Sequence, residues 1–120
     1  MGKRSDACQM KKNNTFEQRR KFYKDVRMKY PDRCPIMIFA QGDVKINRYK
    51  FLAPEDILFS KFLAEARTQI VTNSHESIYA FVENILIPGH LRVGEIYEKY
   101  KEEDGFLYIE FSKENAFWGQ

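Results

Sequence analysis

Residues 106–111 read Phe-Leu-Tyr-Ile-Glu-Phe, and their alternation decides the fold. In an extended chain Leu107, Ile109 and Phe111 point to one face and Phe106, Tyr108 and Glu110 to the other. A strand so apolar belongs inside a sheet, paired on both sides. Working back from it, Val93, Ile96, Tyr97 and Tyr100 form one face of a helix that runs up to near Gly105. Residues 78–82 read as a second strand, and Ile85-Leu86-Ile87 as a short apolar piece closed by Pro88-Gly89. Pro54-Glu55-Asp56 is a proline-led, acidic helix start, after which Phe59, Phe62, Leu63, Ala66 and Ile70 recur at helical spacing. Further upstream, residues 35–39 suit a buried strand. Gly42-Asp43 marks a turn, and residues 44–53 form the partner strand.

Ahead of the sheet, Thr15-Phe16-Glu17-Gln18 has the spacing of a capping box. Phe22, Val26 and Tyr30 then fall on one stripe of a basic helix, with Tyr23 beside them. Pro31 stops that helix, since proline disfavours helical geometry in the residue before it. Residues 1–14 are polar and basic, with little to bury and at most a short helix around 6–12; the simplest reading is a flexible basic arm. The order is helix, then β–β–α–β–α–β. It describes one α+β domain over residues 1–120, a four-stranded mixed sheet with one covering helix and an N-terminal helical extension. The helix occupies residues 15–30 and the body residues 35–119.

Of the 120 residues, 43% are hydrophobic and 31% charged, which excludes a membrane-embedded chain and a disordered tail. The net charge of +3 is unevenly placed: residues 1–35 carry net +7 and residues 36–120 net −4. Cys8 and Cys34 cannot build a disulfide framework, and no Cys/His spacing offers a zinc site. With no long apolar stretch and no secretory leader pattern, a cytosolic or nuclear protein is expected. His75 and His90 read as exposed loop residues. Cys34, beside Pro35, reads as a small buried residue.

Several motifs occur in a fixed order: Phe16-Glu17-Gln18-Arg19-Arg20, Lys29-Tyr30-Pro31-Asp32-Arg33-x-Pro35, Lys50-Phe51-Leu52-Ala53-Pro54-x-Asp56, Phe81-Val82-x-Asn84, Ile96-Tyr97, and residues 102–108 as Glu-Glu-Asp-Gly-Phe-Leu-Tyr. In these the chain resembles the ubiquitin-like autophagy modifiers, the group of GABARAP and the microtubule-associated protein light chains, from Phe16 to Gly119. The resemblance implies a β-grasp, ubiquitin-like fold and a protein that is a substrate of enzymes, not an enzyme, with no cofactor and no metal. It implies cleavage between Gly119 and Gln120 by a processing cysteine protease. Activation by E1-like and E2-like enzymes and conjugation of Gly119 to phosphatidylethanolamine on autophagosome membranes would follow. A glycine suits this role because it carries no side chain through narrow active sites. Phe117-Trp118-Gly119 departs from the family pattern before that glycine.

The resemblance also implies capture of cargo receptors bearing an aromatic-x-x-aliphatic motif, added as a strand to the sheet edge. It puts Val26, Pro35, Lys50, Leu52 and Phe106 around an aromatic pocket. It puts Phe51, Ala53, Pro54, Ile57 and Phe62 around an aliphatic pocket, with Arg33, Arg48 and Arg67 as flanking cations. Phe22 stands where relatives often carry Glu, and Glu65 where they carry an aliphatic residue. A helix-binding surface in the family would fall on Tyr79-Ala80-Phe81, which otherwise reads as a core strand. Taken without the resemblance, Val26, Leu52, Ile57 and Phe62 are ordinary core, the arginines a solvated face, and Glu102-Glu103-Asp104 a solvated helix end. A monomer that is cytoplasmic until lipidated is expected. The basic head lacks any stacking platform, so nucleic acid ranks low among partners. The alternative function is a β-grasp peptide-binding adaptor that is never lipidated.

Overall fold

The computed structural model describes residues 8–41, 44–72 and 77–113. The Gly42-Asp43 turn, His75 and the Trp118-Gly119-Gln120 tail lie outside the described residues. Strand β7 (Leu107–Ser112) is the middle of a five-stranded sheet. Strand β1 (Arg33–Ala40) runs parallel to it on one side and β5 (Tyr79–Val82) antiparallel on the other. Strand β3 (Lys50–Pro54) pairs with β1 at one edge, and β6 (Ile85–Leu86) pairs with β5 at the other. The sheet is thus mixed and ubiquitin-like, with β6 as a short fifth strand beyond the four expected.

Register keeps the apolar stripes together. Ile36 lies opposite Leu107 and Ile38 opposite Ile109. On that face they join Cys34, Phe111 and the buried residues of two helices: Phe59, Phe62 and Ala66 of α3 (Phe59–Arg67), and Val93, Ile96 and Tyr97 of α4 (Val93–Tyr100). Two helices cover this face where the sequence predicted one. The opposite face is also covered. Met37, Phe106 and Tyr108 pack there with Cys8 and Met10 of the N-terminal segment, and with Tyr23 of the second helix. Helix α1 (Gln9–Asn13) follows Cys8, and α2 (Phe16–Lys29) begins at the expected capping box, Thr15 and Gln18 bonding reciprocally at 3.1 and 2.8 Å. The expectation that residues 1–14 have little to bury fails at Cys8 and Met10, both fully buried. A polar stretch hid two apolar residues spaced to reach one cleft.

Two further expectations are corrected. Residues 44–53 are not one strand. Strand β2 (Lys45–Ile46) turns away to pair with β4 (Ile70–Val71), and only β3 pairs with β1. Asn47 N–H donates to the Gln69 carbonyl at 2.8 Å, tying this ribbon to the end of α3. The third helix starts at Phe59, not at Pro54, which ends β3. Its first N–H groups need acceptors, and neither Leu58 nor any acidic first-turn residue supplies one. Instead Phe59 and Ser60 N–H donate to the Leu91 and Gly89 carbonyls, at 2.8 and 3.0 Å. In return Val93 and Gly94 N–H, at the start of α4, donate to the Ile57 and Glu55 carbonyls, at 2.9 and 2.8 Å. Each helix is capped by the loop that leads into the other.

Candidate functional site

The open edge of β3 dictates what this face of the protein can bind. Ile38 N–H donates to the Tyr49 carbonyl at 2.9 Å, continuing a register in which Met37 faces Lys50 and Pro35 faces Leu52. Bonded and non-bonded pairs alternate in an antiparallel ladder. Ile36–Phe51 and Cys34–Ala53 are therefore the bonded pairs, and Pro35, which has no N–H, stands in a non-bonded one. The peptide groups of Lys50 and Leu52 face outward, away from β1. They border the open edge where a strand can be added, the Leu52 carbonyl being held only by a long 3.4 Å bond from the exposed Arg33 guanidinium.

Beside that edge lies a cavity of about 550 Å³. All five residues of the expected aromatic pocket line it: Val26 from α2, Pro35 from β1, Lys50 and Leu52 from β3, and Phe106 ahead of β7. Met10 and Met37 complete the floor, and Phe22 and Asp25 the α2 rim. Met10 carried no signal in the sequence; only docking of α1 brings it here. Arg48 also lines the cavity, its guanidinium 4.4 Å from the Phe51 ring centroid. Lys50 Nζ lies 5.9 Å from the Phe22 ring and 5.7 Å from the Tyr49 ring. These cations border an exposed edge, which discourages unwanted strand pairing.

Of the expected aliphatic set, Phe51 and Ala53 alternate with Lys50 and Leu52 and point to the core face of β3, while Pro54 shares the face of Leu52 and Phe51 also borders the cavity. Phe51, Ala53 and Phe62 are buried in the main core, with the Phe51 and Phe62 rings edge-on at 5.5 Å. Pro54 and Ile57 remain half-buried, so this set offers a buried floor with two partly open walls. Glu65 is exposed, and no carboxylate is buried among these residues. Arg33 is exposed and reaches the Leu52 carbonyl at 3.4 Å, while Arg67 is exposed at the end of α3. On the helix-binding strand, Ala80 and Phe81 are buried and Tyr79 is half-buried.

What sequence reasoning missed is the junction that holds α2 against the groove. The Glu102-Glu103-Asp104 run is not a solvated helix end, because α4 stops at Tyr100 and the run folds back under the N-terminal helices. Lys11 Nζ pairs with Glu102 at 2.7 Å, and Arg20 donates to the Glu103 carbonyl at 3.1 Å. Asp104 is 1% exposed and accepts from Arg19 Nε at 2.8 Å, from the Tyr108 hydroxyl at 2.5 Å and from Phe106 N–H at 3.0 Å. Burial first, and then the bond to this carboxylate, push the Tyr108 hydroxyl far above its usual range. Next to it Gly105 has φ +99°, and a Cβ there would lie 2.3 Å from the Tyr23 ring. Arg19 and Arg20 and, one turn further along α2, Tyr23 all dock on residues 103–105. That docking places Val26 and Phe22 over the cavity.

Cys34 is buried, and burial pushes its thiol up to about 11, as suits a packing residue. His90 is exposed, as expected. Among the described residues no helix is long and apolar enough to cross a membrane.

Comparison with known proteins finds one family over most of the chain. The family model described as autophagy protein Atg8, ubiquitin-like, matches residues 18–118. The chain is 40% identical over 111 residues to autophagy-related protein 8 of Dictyostelium discoideum, covering 89% of this chain and 91% of that one. It is 37% identical over 110 residues to autophagy-related protein 8e of Arabidopsis thaliana, covering 89% and 90%. Among solved structures, Plasmodium falciparum Atg8 in complex with a P. falciparum Atg3 peptide superposes with a TM-score of 0.79 at 31% identity, covering 88% of this chain and 95% of that one. Trypanosoma brucei ATG8 gives 0.78 at 32% identity, covering 87% and 92%.

Proposed function

Because the chain belongs to the Atg8 family of autophagy ubiquitin-like proteins, we propose that it is a modifier with two working parts. One is Gly119, exposed by removal of Gln120, activated by E1-like and E2-like enzymes, and joined to phosphatidylethanolamine on autophagosome membranes. The other is the β3 groove, which recruits cargo receptors to those membranes. The protein is then cytoplasmic until lipidated.

The observation that supports the second part is the alternation along β3, in which Lys50 and Leu52 face the cavity and Phe51 and Ala53 face the main core. In an extended strand successive side chains alternate between faces, so residues three apart point to opposite sides. An aromatic-x-x-aliphatic segment added to the outer edge sends its aromatic ring toward Val26, Leu52 and Phe106. Its aliphatic side chain goes toward Ile57 and Phe62. Ile57, a partly exposed residue of the aliphatic set, follows Lys50 and Leu52 along the chain, past the end of β3, so the segment runs parallel to β3. Main-chain bonds to Lys50 and Leu52 supply register, and the flanking arginines favour acidic neighbours. The solved complex of the Plasmodium relative with an Atg3 peptide supports both a peptide-binding surface and an E2-like partner for this chain.

Calorimetry with an aromatic-x-x-aliphatic peptide tests the groove. Lys50→Ala and Leu52→Ala should each weaken binding by about five- to tenfold, about 1 kcal/mol or slightly more. Unchanged affinity in the folded double variant overturns it.

A further inference from the structure

Resting on the peptide-groove reading, we infer that the groove receives a second apolar side chain from the ligand, two positions before the aromatic anchor, and that Phe22 is the residue selecting it. The cavity of about 550 Å³ is bounded on its α2 side by a rim that includes Phe22 and Asp25, beside the expected aromatic-pocket residues. Phe22 lines that rim and is 41% exposed in the free protein. It sits one helical turn before Val26, so both side chains address the same cavity.

The direction along β3 is fixed by two contacts. Phe22 lies by Lys50, at the start of β3. Arg27 donates to the Arg33 carbonyl at 2.6 Å, and Arg33 stands opposite Pro54, at the end of β3. Helix α2 therefore runs alongside β3 in the same sense, and Phe22 flanks what precedes the anchor. Residues i and i−2 of an added strand share a face and are separated by about 6.6 Å. A residue two before the anchor thus projects onto the Phe22 ring. Asp25, on the same rim, is exposed and lies 3.6 Å from Lys21. Phe22 is the apolar surface there, and it matches an apolar side chain. Covering the ring removes its exposed area from water, an advantage that a short polar side chain at that position gives up.

Two synthetic decapeptides, identical except for Leu or Ser two positions before the aromatic residue, test the inference by calorimetry against the full chain. The wild type should bind the Leu peptide about five- to tenfold more tightly. In Phe22→Glu, whose thermal unfolding serves as the folding control, the two affinities should fall within about twofold. Phe22→Leu should keep the preference. Equal affinities in the wild type, or a preference that persists in Phe22→Glu, overturn the role of Phe22 while leaving the groove intact. Binding of neither peptide by the wild type overturns the groove reading itself, and this inference with it.

Discussion

The Asp104 carboxylate, buried beneath α2, accepts from Arg19 Nε at 2.8 Å across 85 residues of chain. With the Tyr108 hydroxyl and Phe106 N–H also bonded to it, this carboxylate joins the N-terminal helices to the central strand of the sheet. Removing it leaves Arg19 and Tyr108 without their acceptor in a largely dry site. Asp104→Ala should cost about 2–4 kcal/mol, at or below the range for a broken buried pair because Arg19 can turn to water. Urea unfolding measures the loss, and hydrogen exchange should show it concentrated in α2.

Gly105 and Tyr23 form a steric pair. Alanine at position 105 meets the Tyr23 ring and also adopts φ +99°, a conformation costing an ordinary residue about 1–2 kcal/mol before any clash. Gly105→Ala should therefore destabilise by about 2–4 kcal/mol, adding an overpacking cost. In a Tyr23→Ala background the same change should cost at least about 1 kcal/mol less, measured as the interaction energy of a double-mutant cycle.

At the β5–β6 hairpin the sign reverses. Val82 faces Ile85, and the two residues between them, Glu83 and Asn84, both have positive φ, 51° and 69°. This is the two-residue turn that favours Asn-Gly, and Glu83 is a poor fit to its first position. Glu83→Asn should raise the unfolding midpoint, gaining about 0.5–1 kcal/mol of the left-handed cost. A lower midpoint in chemical denaturation would refute the turn assignment.

Cys34 gives a pH prediction. Its folded pKa is raised to about 11 from 9.0 by burial. Below pH 9 the thiol is neutral in both the folded and unfolded chain, and the stability from burying it is fully present. As pH rises from 9 to 11 the unfolded chain ionises first, so that stability is progressively lost. Chemical denaturation in this window should show stability falling, and Cys34→Ser should flatten the slope. At pH 8 the native thiol should resist alkylation, reacting only as fast as the protein opens.

Local patterns in the chain were readable where the physics is local. The alternation at 106–111 needs only the period of a strand, and the Thr15–Gln18 capping box only a four-residue window. The five aromatic-pocket residues were readable through resemblance, and one cavity brings them together. The junction was not readable. An acidic run before a glycine looks like a solvated end until Arg19, far away in sequence, lies against it. The start of α3 was misplaced for a similar reason: its caps are carbonyls of residues 89–91, and no residue before Phe59 announces them. Met10 was invisible because a single methionine in a polar segment has no periodicity.

Conjugation through Gly119 is the central claim, and intact-mass spectrometry addresses it most directly. The chain is incubated with the family's processing protease, E1-like and E2-like enzymes, ATP and phosphatidylethanolamine liposomes. The wild type should lose Gln120 and then gain the mass of one phosphatidylethanolamine less water. Gly119→Ala should show no lipid adduct. A wild-type chain that stays unconjugated while still binding aromatic-x-x-aliphatic peptides would contradict the account and identify the protein as a peptide-binding adaptor. Normal lipidation of Gly119→Ala would contradict the assignment of Gly119.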